Sequence, residues 1–275
     1  MLSQNDFKRL ARFIEGYCGI RMPESKRTML EGRLRRRLTA LHLDDFHQYC
    51  RYVFDEHGLE EEAVHLIDAV TTNKTDFFRE PEHFRYLAGT ALPRLLQLRG
   101  ADRTPRLVVW SAACSVGAEP YTLAMVLADM AARNQAFDFT VLATDISTKV
   151  LAKAAMGIYA EDMIAPVPPQ YREEFFMRAR DQHRREMRVV PELRAKIRFA
   201  RMNLLEDPYP MDQPADVVFC RNVLIYFDKP TQHRVLERLC DALRPGGYLF
   251  LGHSESLDTN RLPVVQEAPT VFVRT

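Results

Sequence analysis

The chain has 275 residues, 47% of them hydrophobic and 27% charged, with a formal net charge of +1 at neutral pH. That length suits one large domain or a large and a small one, and the composition argues against a disordered chain. The longest apolar run is far short of a membrane span, the start "MLSQNDFKRL" lacks the apolar core of a signal peptide, and a general nucleic-acid binder would carry more positive charge. A cytoplasmic protein without membrane insertion is expected.

Residues 1–70 read as a helical N-terminal domain. In "SKRTMLEGRLRRRLTALH", Leu30, Leu34, Leu38 and Leu41 share one face, and Lys26, Arg33, Arg36 and Arg37 share a neighbouring arc. Residues 21–37 carry seven basic side chains against Glu24 and Glu31, and residues 38–68 carry eight acidic ones against Arg51 alone. The arc reads either as a solvated basic side or as a docking face for an acidic helical partner.

Next comes "TTNKTDFFREPEHF". A plain linker has no need of Phe77 and Phe78, and a plain core strand has no need of Asn73, Thr75 and Arg79. From about residue 105 near-continuous apolar strands ("RLVVWSAA", "FDFTVLATDIS", "KIRFARMNL", "ADVVFCRN", "YLFLGHS") alternate with helices, which indicates a buried parallel sheet covered on both faces. "PVVQEAPTVFVRT" reads as a closing hairpin. Residues 171–201, with ten basic and five acidic side chains, interrupt the alternation and read as a β insertion or a basic surface loop. The five cysteines form no C-x-x-C pair and suit a reducing compartment, while the eight histidines show no ligand spacing, so no metal is expected.

Ligands of open α/β sheets bind at the carboxyl ends of strands. The first such loop, "WSAACSVGAEPY", holds only Gly117 of a dinucleotide fingerprint, and Glu119 opens the following helix, where a pyrophosphate would be repelled. A carboxylate there suits an ammonium group, or merely complements the helix dipole. Asp145, ending the second strand, suits a ribose diol, or caps the helix "STKVLAKA". The small-residue loop with both acids favours S-adenosylmethionine. The same loop also permits a variant nucleophile elbow of an α/β-hydrolase using Ser115 and His253.

"TTNKTDFFRE", "WSAACSVGAEPY", "CRNVLIYFDK" and "LRPGGYLFLGHSE" together resemble, in order, the signatures of the chemotaxis receptor glutamate O-methyltransferases, the CheR family. The resemblance covers nearly the whole chain. It implies a class I S-adenosylmethionine-dependent methyltransferase fold, Rossmann-like with a mostly parallel sheet. A small all-α N-terminal domain (1–70), a linker strip over the cofactor (71–90) and a methyltransferase domain (91–275) with an inserted antiparallel β subdomain (171–201) complete the expected organisation.

By the same resemblance Asn73, Thr75 and Arg79 face the cofactor and the reacting carboxylate. Glu119 holds the methionyl ammonium, Asp145 the ribose, Asn203 and Leu204 border the adenine, and Arg221 and Asn222 continue the wall. Arg79 and Tyr226 orient the substrate. The implied substrates are glutamates on the cytoplasmic helices of chemoreceptors, which become γ-methyl esters. Lys26, Arg33, Arg36 and Arg37 would steer those helices, and the enzyme would act as a monomer leaving S-adenosylhomocysteine. Some family members capture a receptor tail through a glycine-containing loop of the β insertion. "RARDQHRREMR" has no glycine, so direct docking is expected here. A catalytically idle relative acting as an interaction module is the remaining reading, opposed by Arg79 and Tyr226.

Overall fold

Capping chemistry sets the first helices. In the computed structural model, which describes residues 1–99, 105–134, 137–179, 181 and 183–275, helix α1 (Gln4–Cys18) begins at Ser3, whose hydroxyl oxygen accepts the Asp6 N–H. It ends at Gly19, where φ is 74° and a side chain would be strained. Helices α2 (Arg27–Ala40), α3 (Phe46–Asp55) and α4 (Leu59–Val70) follow, α3 being capped by Asp45. Their apolar faces, including Leu10, Ile14, Leu30, Leu34, Leu66 and Ile67, form a core separate from that of the sheet. Buried Tyr49 donates its hydroxyl to Glu62, which also receives Arg37, so this small core contains a charged pair.

The strip after Val70 is irregular as far as Glu80. Pro81 then starts helix α5 (Pro81–Tyr86), which runs through a π-helical turn (Leu87–Ala91) into α6 (Leu92–Arg99). The expected linker of 71–90 therefore contains a helix, because proline at the first helical position pre-sets the backbone.

The main sheet is built from β1 (Arg106–Ala112), α7 (Ala118–Asn134), β2 (Asp138–Asp145) and α8 (Thr148–Met156). The chain then leaves it through β3 (Ile158–Ala160), α9 (Pro169–Phe175), β4 (Phe176–Arg178), β5 (Glu186–Val189) and α10 (Pro191–Arg194). It returns as β6 (Ile197–Arg201), β7 (Ala215–Cys220), α11 (Lys229–Ala242) and β8 (Leu243–Leu251), and closes with β9 (Val264–Ala268) and β10 (Val271–Arg274). The large sheet has the order β6-β2-β1-β7-β8-β10-β9, with all strands running the same way except β10, which is antiparallel to both β8 and β9. Along β1, Leu107 and Val109 enter one core and Val108 and Trp110 the other, so both faces are buried. The chain winds outward from β1 to β6 and returns beside β1 as β7. The switch point of this mostly parallel Rossmann-like fold therefore opens at the carboxyl ends of β1, β2 and β7.

The small sheet is antiparallel, in the order β3-β5-β4. Its extent corrects the expected 171–201. It starts at Ile158, directly after Gly157 (φ 63°) turns the chain out of α8, and β6 belongs to the large sheet, with Ile197 paired to Val141. The stretch "RARDQHRREMR" falls partly outside the described residues, at Arg180 and Gln182. The strand expected at "YLFLGHS" begins earlier, because helix α11 passes directly into β8 and Leu243 already pairs with Ala215.

Phe77 locks the strip to the small sheet. It is 1% exposed, with its ring edge-on to Tyr159 at 4.9 Å and Phe176 at 5.8 Å. Phe77→Ala should therefore cost about 3–5 kcal/mol of unfolding free energy. Denaturant unfolding of the two proteins checks this, and a loss below ~1 kcal/mol would mean that the strip is not anchored there.

Candidate functional site

A cavity of about 350 Å³ opens at the switch point, within the range of roughly 300–1,000 Å³ usual for small-molecule sites. Its wall brings together Lys26, Asn73, Thr75, Arg79, Glu119, Asp145, Asn203, Leu204, Arg221, Asn222 and Tyr226 from six separate parts of the sequence. Arg33, Arg36 and Arg37 lie outside it.

The loop after β1 shapes the floor. Ala113, Ser115 and Gly117 have φ of 62°, 52° and 96°, and a Cβ on Gly117 would stand 2.7 Å from the Tyr159 hydroxyl. Close packing of this turn against α8 and β3 therefore needs a glycine. Asp145 accepts the Ser115 N–H through Oδ2 and the Ser147 N–H through Oδ1, each at 2.9 Å. The cap of α8 is Ser147, whose hydroxyl accepts from Val150, and not Asp145. Asp145 thus keeps carboxylate lone pairs for a ligand on the cavity side. Burial pushes its carboxyl up from the ordinary value while the backbone N–H groups pull it down.

Arg221, just past the end of β7, connects the wall to the strip. Its side chain is 2% exposed and reaches Glu80 at 3.0 Å and Glu119 at 3.2 Å, and it also donates to the Arg79 carbonyl. Glu119 in addition accepts from the Ser111 hydroxyl at 2.7 Å. Burial pushes the Glu119 carboxyl up and Arg221 only partly offsets this. For Glu80, burial pushes up as well, but Arg221 and Asn222 outweigh it and hold this carboxyl low. The strip is pinned further by the Phe78 N–H to Thr122 and by the Ser115 hydroxyl to the Asn73 carbonyl.

Two groups on the wall keep their donors free. Among the described residues Arg79 pairs with no carboxylate, making only a long contact of 3.4 Å to the Lys74 carbonyl. Among those residues the Tyr226 hydroxyl likewise makes no hydrogen bond. Its backbone carbonyl is held by the Arg21 N–H at 2.9 Å, so the N-terminal domain fixes the turn that carries it.

Sequence reasoning missed the apolar wall from that domain: Cys18, Ile20, Met22 and Met29. Ordinary apolar helix residues carry no signal of this kind. Asn203, whose amide donates to the Tyr17 carbonyl at 2.6 Å, is the polar tie across the junction.

The expected docking arc is corrected in part. Arg37 is bound to Glu62 at 2.6 Å, and Arg33 donates to the carbonyls of Val70 and Thr71 and to Thr72. Both brace the domain because carboxylate and carbonyl acceptors of α4 and the strip lie within reach. Lys26 donates to the Arg21 carbonyl, and Arg36 is exposed. The hydrolase reading fails on Ser115, whose hydroxyl donates to a backbone carbonyl rather than to an imidazole.

A second cluster also escaped the sequence. Glu80, His83 and the distant His253 bring three donor atoms within 4.8 Å of one another. The i,i+3 spacing of Glu80 and His83 was the available signal. Burial first, and then Arg221, push the His83 imidazole down to about 4, so it is neutral at pH 7.

Such a switch-point cavity, with a half-buried acid in the first turn of α7 and a buried one at the end of β2, defines a nucleoside-cofactor site of the methyltransferase class. Residues 73–271 match the model of the CheR methyltransferase, SAM binding domain, and residues 5–71 that of the CheR methyltransferase, all-alpha domain. The chain is 42% identical to the chemotaxis protein methyltransferase of Salmonella typhimurium, over 93% of this chain and 85% of that protein. It is 39% identical to chemotaxis protein methyltransferase 2 of Pseudomonas aeruginosa, over 92% of this chain and 87% of the relative. The chain belongs to the CheR methyltransferase family.

If Glu119 meets the cofactor's ammonium, cofactor binding is expected to depend on pH. Burial pushes its carboxyl up from the ordinary value, and a cationic ligand group would favour the anion. Binding of S-adenosylmethionine should therefore release a proton, and affinity should fall as pH drops through the raised range. Calorimetry in buffers of different ionisation enthalpy measures the proton count. A count of zero at every pH from 5 to 8 would remove Glu119 from the ammonium contact.

Proposed function

We propose that this chain transfers a methyl group from S-adenosylmethionine to glutamate side chains on the cytoplasmic helices of chemoreceptors, leaving γ-methyl esters. Membership of the family carries the reaction class. The observation that supports the acceptor is that Arg79, paired with no carboxylate among the described residues, and Tyr226 both line the cavity.

The donor set fits the cofactor. Glu119 is a half-buried carboxylate whose single cationic neighbour does not restore its ordinary acidity, so an ammonium is a complementary ligand. Asp145 suits a vicinal diol, and the apolar side chains of Met202 and Leu204 suit an adenine face. S-adenosylmethionine held there would supply a sulfonium methyl, whose bond to sulfur would break as the acceptor oxygen took it up, leaving S-adenosylhomocysteine.

The protein's part is alignment. A glutamate with an ordinary pKa of about 4.3 is already an anion near neutrality, so no general base is required. Arg79 offers a planar fork to that carboxylate and Tyr226 a single donor. The strip, pinned by Phe77 and Arg221, keeps bulk water from a reaction in which opposite charges disappear. A tight Arg79 grip on the ground state would slow transfer, so orientation is its role.

Docking is supported by α2 and the residue before it. Lys26, Met29 and Arg36 follow one another at spacings of three and seven on one helical face, and Lys26 and Met29 line the cavity. The stripe thus leads from the cavity to exposed Arg36, about 10 Å further along the helix at 1.5 Å per residue. An acidic receptor helix laid along it would bring its glutamate towards Tyr226.

The reading is tested by incubating the purified chain with labelled S-adenosylmethionine and receptor cytoplasmic fragments. Base-labile methyl label on receptor glutamates is expected, reduced at least tenfold in Arg79→Ala with cofactor affinity changed much less. Cofactor binding without any label transfer would favour the idle module. Arg36→Glu should lower kcat/KM for receptor roughly threefold or more at low ionic strength, with the gap closing as salt is added. A salt-independent defect, or none, would place docking elsewhere.

A further inference from the structure

We propose that Glu80, His83 and His253 form a binding site for a divalent transition-metal ion such as Zn²⁺. The site lies behind Arg221, and none of the three residues lines the cofactor cavity.

The argument starts from one nitrogen. His83 is 2% exposed, and its Nε2 is used by the Thr270 hydroxyl at 2.8 Å. Its Nδ1 is buried and has no hydrogen-bond partner. A polar atom left in that state costs free energy that a hydrogen bond or a metal bond would recover. The nearest polar group is Glu80 Oε2, 3.5 Å away, itself an acceptor already engaged by Arg221. Nδ1 and the carboxylate therefore present lone pairs to the same space.

His253 supplies the third ligand. Its ring centre stands 5.2 Å from that of His83 and nearly perpendicular to it, at 77°, and its backbone N–H approaches Glu80 Oε1 at 3.4 Å. The ring is exposed, so an ion can enter from solvent past a ligand that is free to turn. Two imidazoles and one carboxylate with a fourth position open to water match the donor set of open zinc sites. Arg221 opposes a further cation beside His83, and the two carboxylates paired with that guanidinium, Glu80 and Glu119, neutralise it.

The test uses the full chain, free of any histidine tag, without cofactor. Zn²⁺ affinity is read by competition with a chelating dye, and Co²⁺ by its visible absorption, which reports mixed nitrogen and oxygen ligation. One ion per chain is expected, with affinity at least tenfold weaker in His253→Ala, whose exposed side chain is not needed for folding. His83→Gln, checked for an unchanged thermal midpoint, should weaken it equally. Absence of saturable binding of either ion would overturn the proposal. So would binding of unchanged affinity in His253→Ala, because the ion would then sit on other surface histidines such as His233.

Discussion

The buried guanidinium of Arg221 is the constraint on which the site depends. One side chain just past the end of β7 meets Glu119 from the first turn of α7, Glu80 from the strip and the main-chain carbonyl of Arg79. Desolvating a guanidinium and two carboxylates is expensive, and the attraction between them repays that only when geometry and extra hydrogen bonds are good. Asn222, Ser111 and the His253 N–H supply those bonds. A well-packed apolar cluster would fill the space at less cost, so the charged arrangement is better explained by placement than by stability. It fixes where Glu119 points and where Arg79 leaves the backbone.

The strip then explains why the helical domain and the sheet work as one unit. Residues 71–80 cannot be a helix because they must cross the cavity, and they cannot be a strand because no sheet edge lies there. They are instead held point by point: Asn73 by Ser115, Phe78 by Thr122, Glu80 by Arg221, and Phe77 by the aromatic rings of the small sheet. Phe78 and Glu80 both have positive φ, of 53° and 57°, a conformation that persists only where surrounding contacts dictate it. The helical domain adds Arg33 to this list, through the carbonyls of Val70 and Thr71. A basic residue on an apparently free helix face is thus part of the active-site roof.

How much of this could be read from the sequence follows from the range of the interactions. The sheet was legible because continuous apolar strands alternating with helices have few other solutions. Glu119 and Asp145 were legible because strand ends facing a switch point restrict what an acid there can do. The fates of Arg33 and Arg37 were not, since charge pattern along α2 says nothing about acceptors 25 to 38 residues away on α4 and the strip. The same holds for Cys18, Ile20, Met22 and Met29, whose apolar character announces burial but not against what. The boundary of the β insertion was misplaced because β3 is only three residues long and follows α8 with no break except Gly157.

The chemistry accounts for what the site lacks. Methyl transfer to a carboxylate that is already ionised asks for neither a base nor a nucleophile from the protein, and no histidine or cysteine touches Arg79 or Tyr226 among the described residues. Cys18 lines the cavity, but burial holds its thiol up at about 11, far from a reactive thiolate at neutral pH. What such a reaction does need is a fixed distance and a poor solvent, and both follow from rigid packing of the roof over the floor. On the proposed reading selectivity comes from outside the cavity, along the face of α2 that carries exposed Arg36, because any glutamate side chain able to enter would satisfy Arg79 equally. Recognition and reaction would then be carried by different domains, which join at Tyr226, held through its carbonyl by the Arg21 N–H.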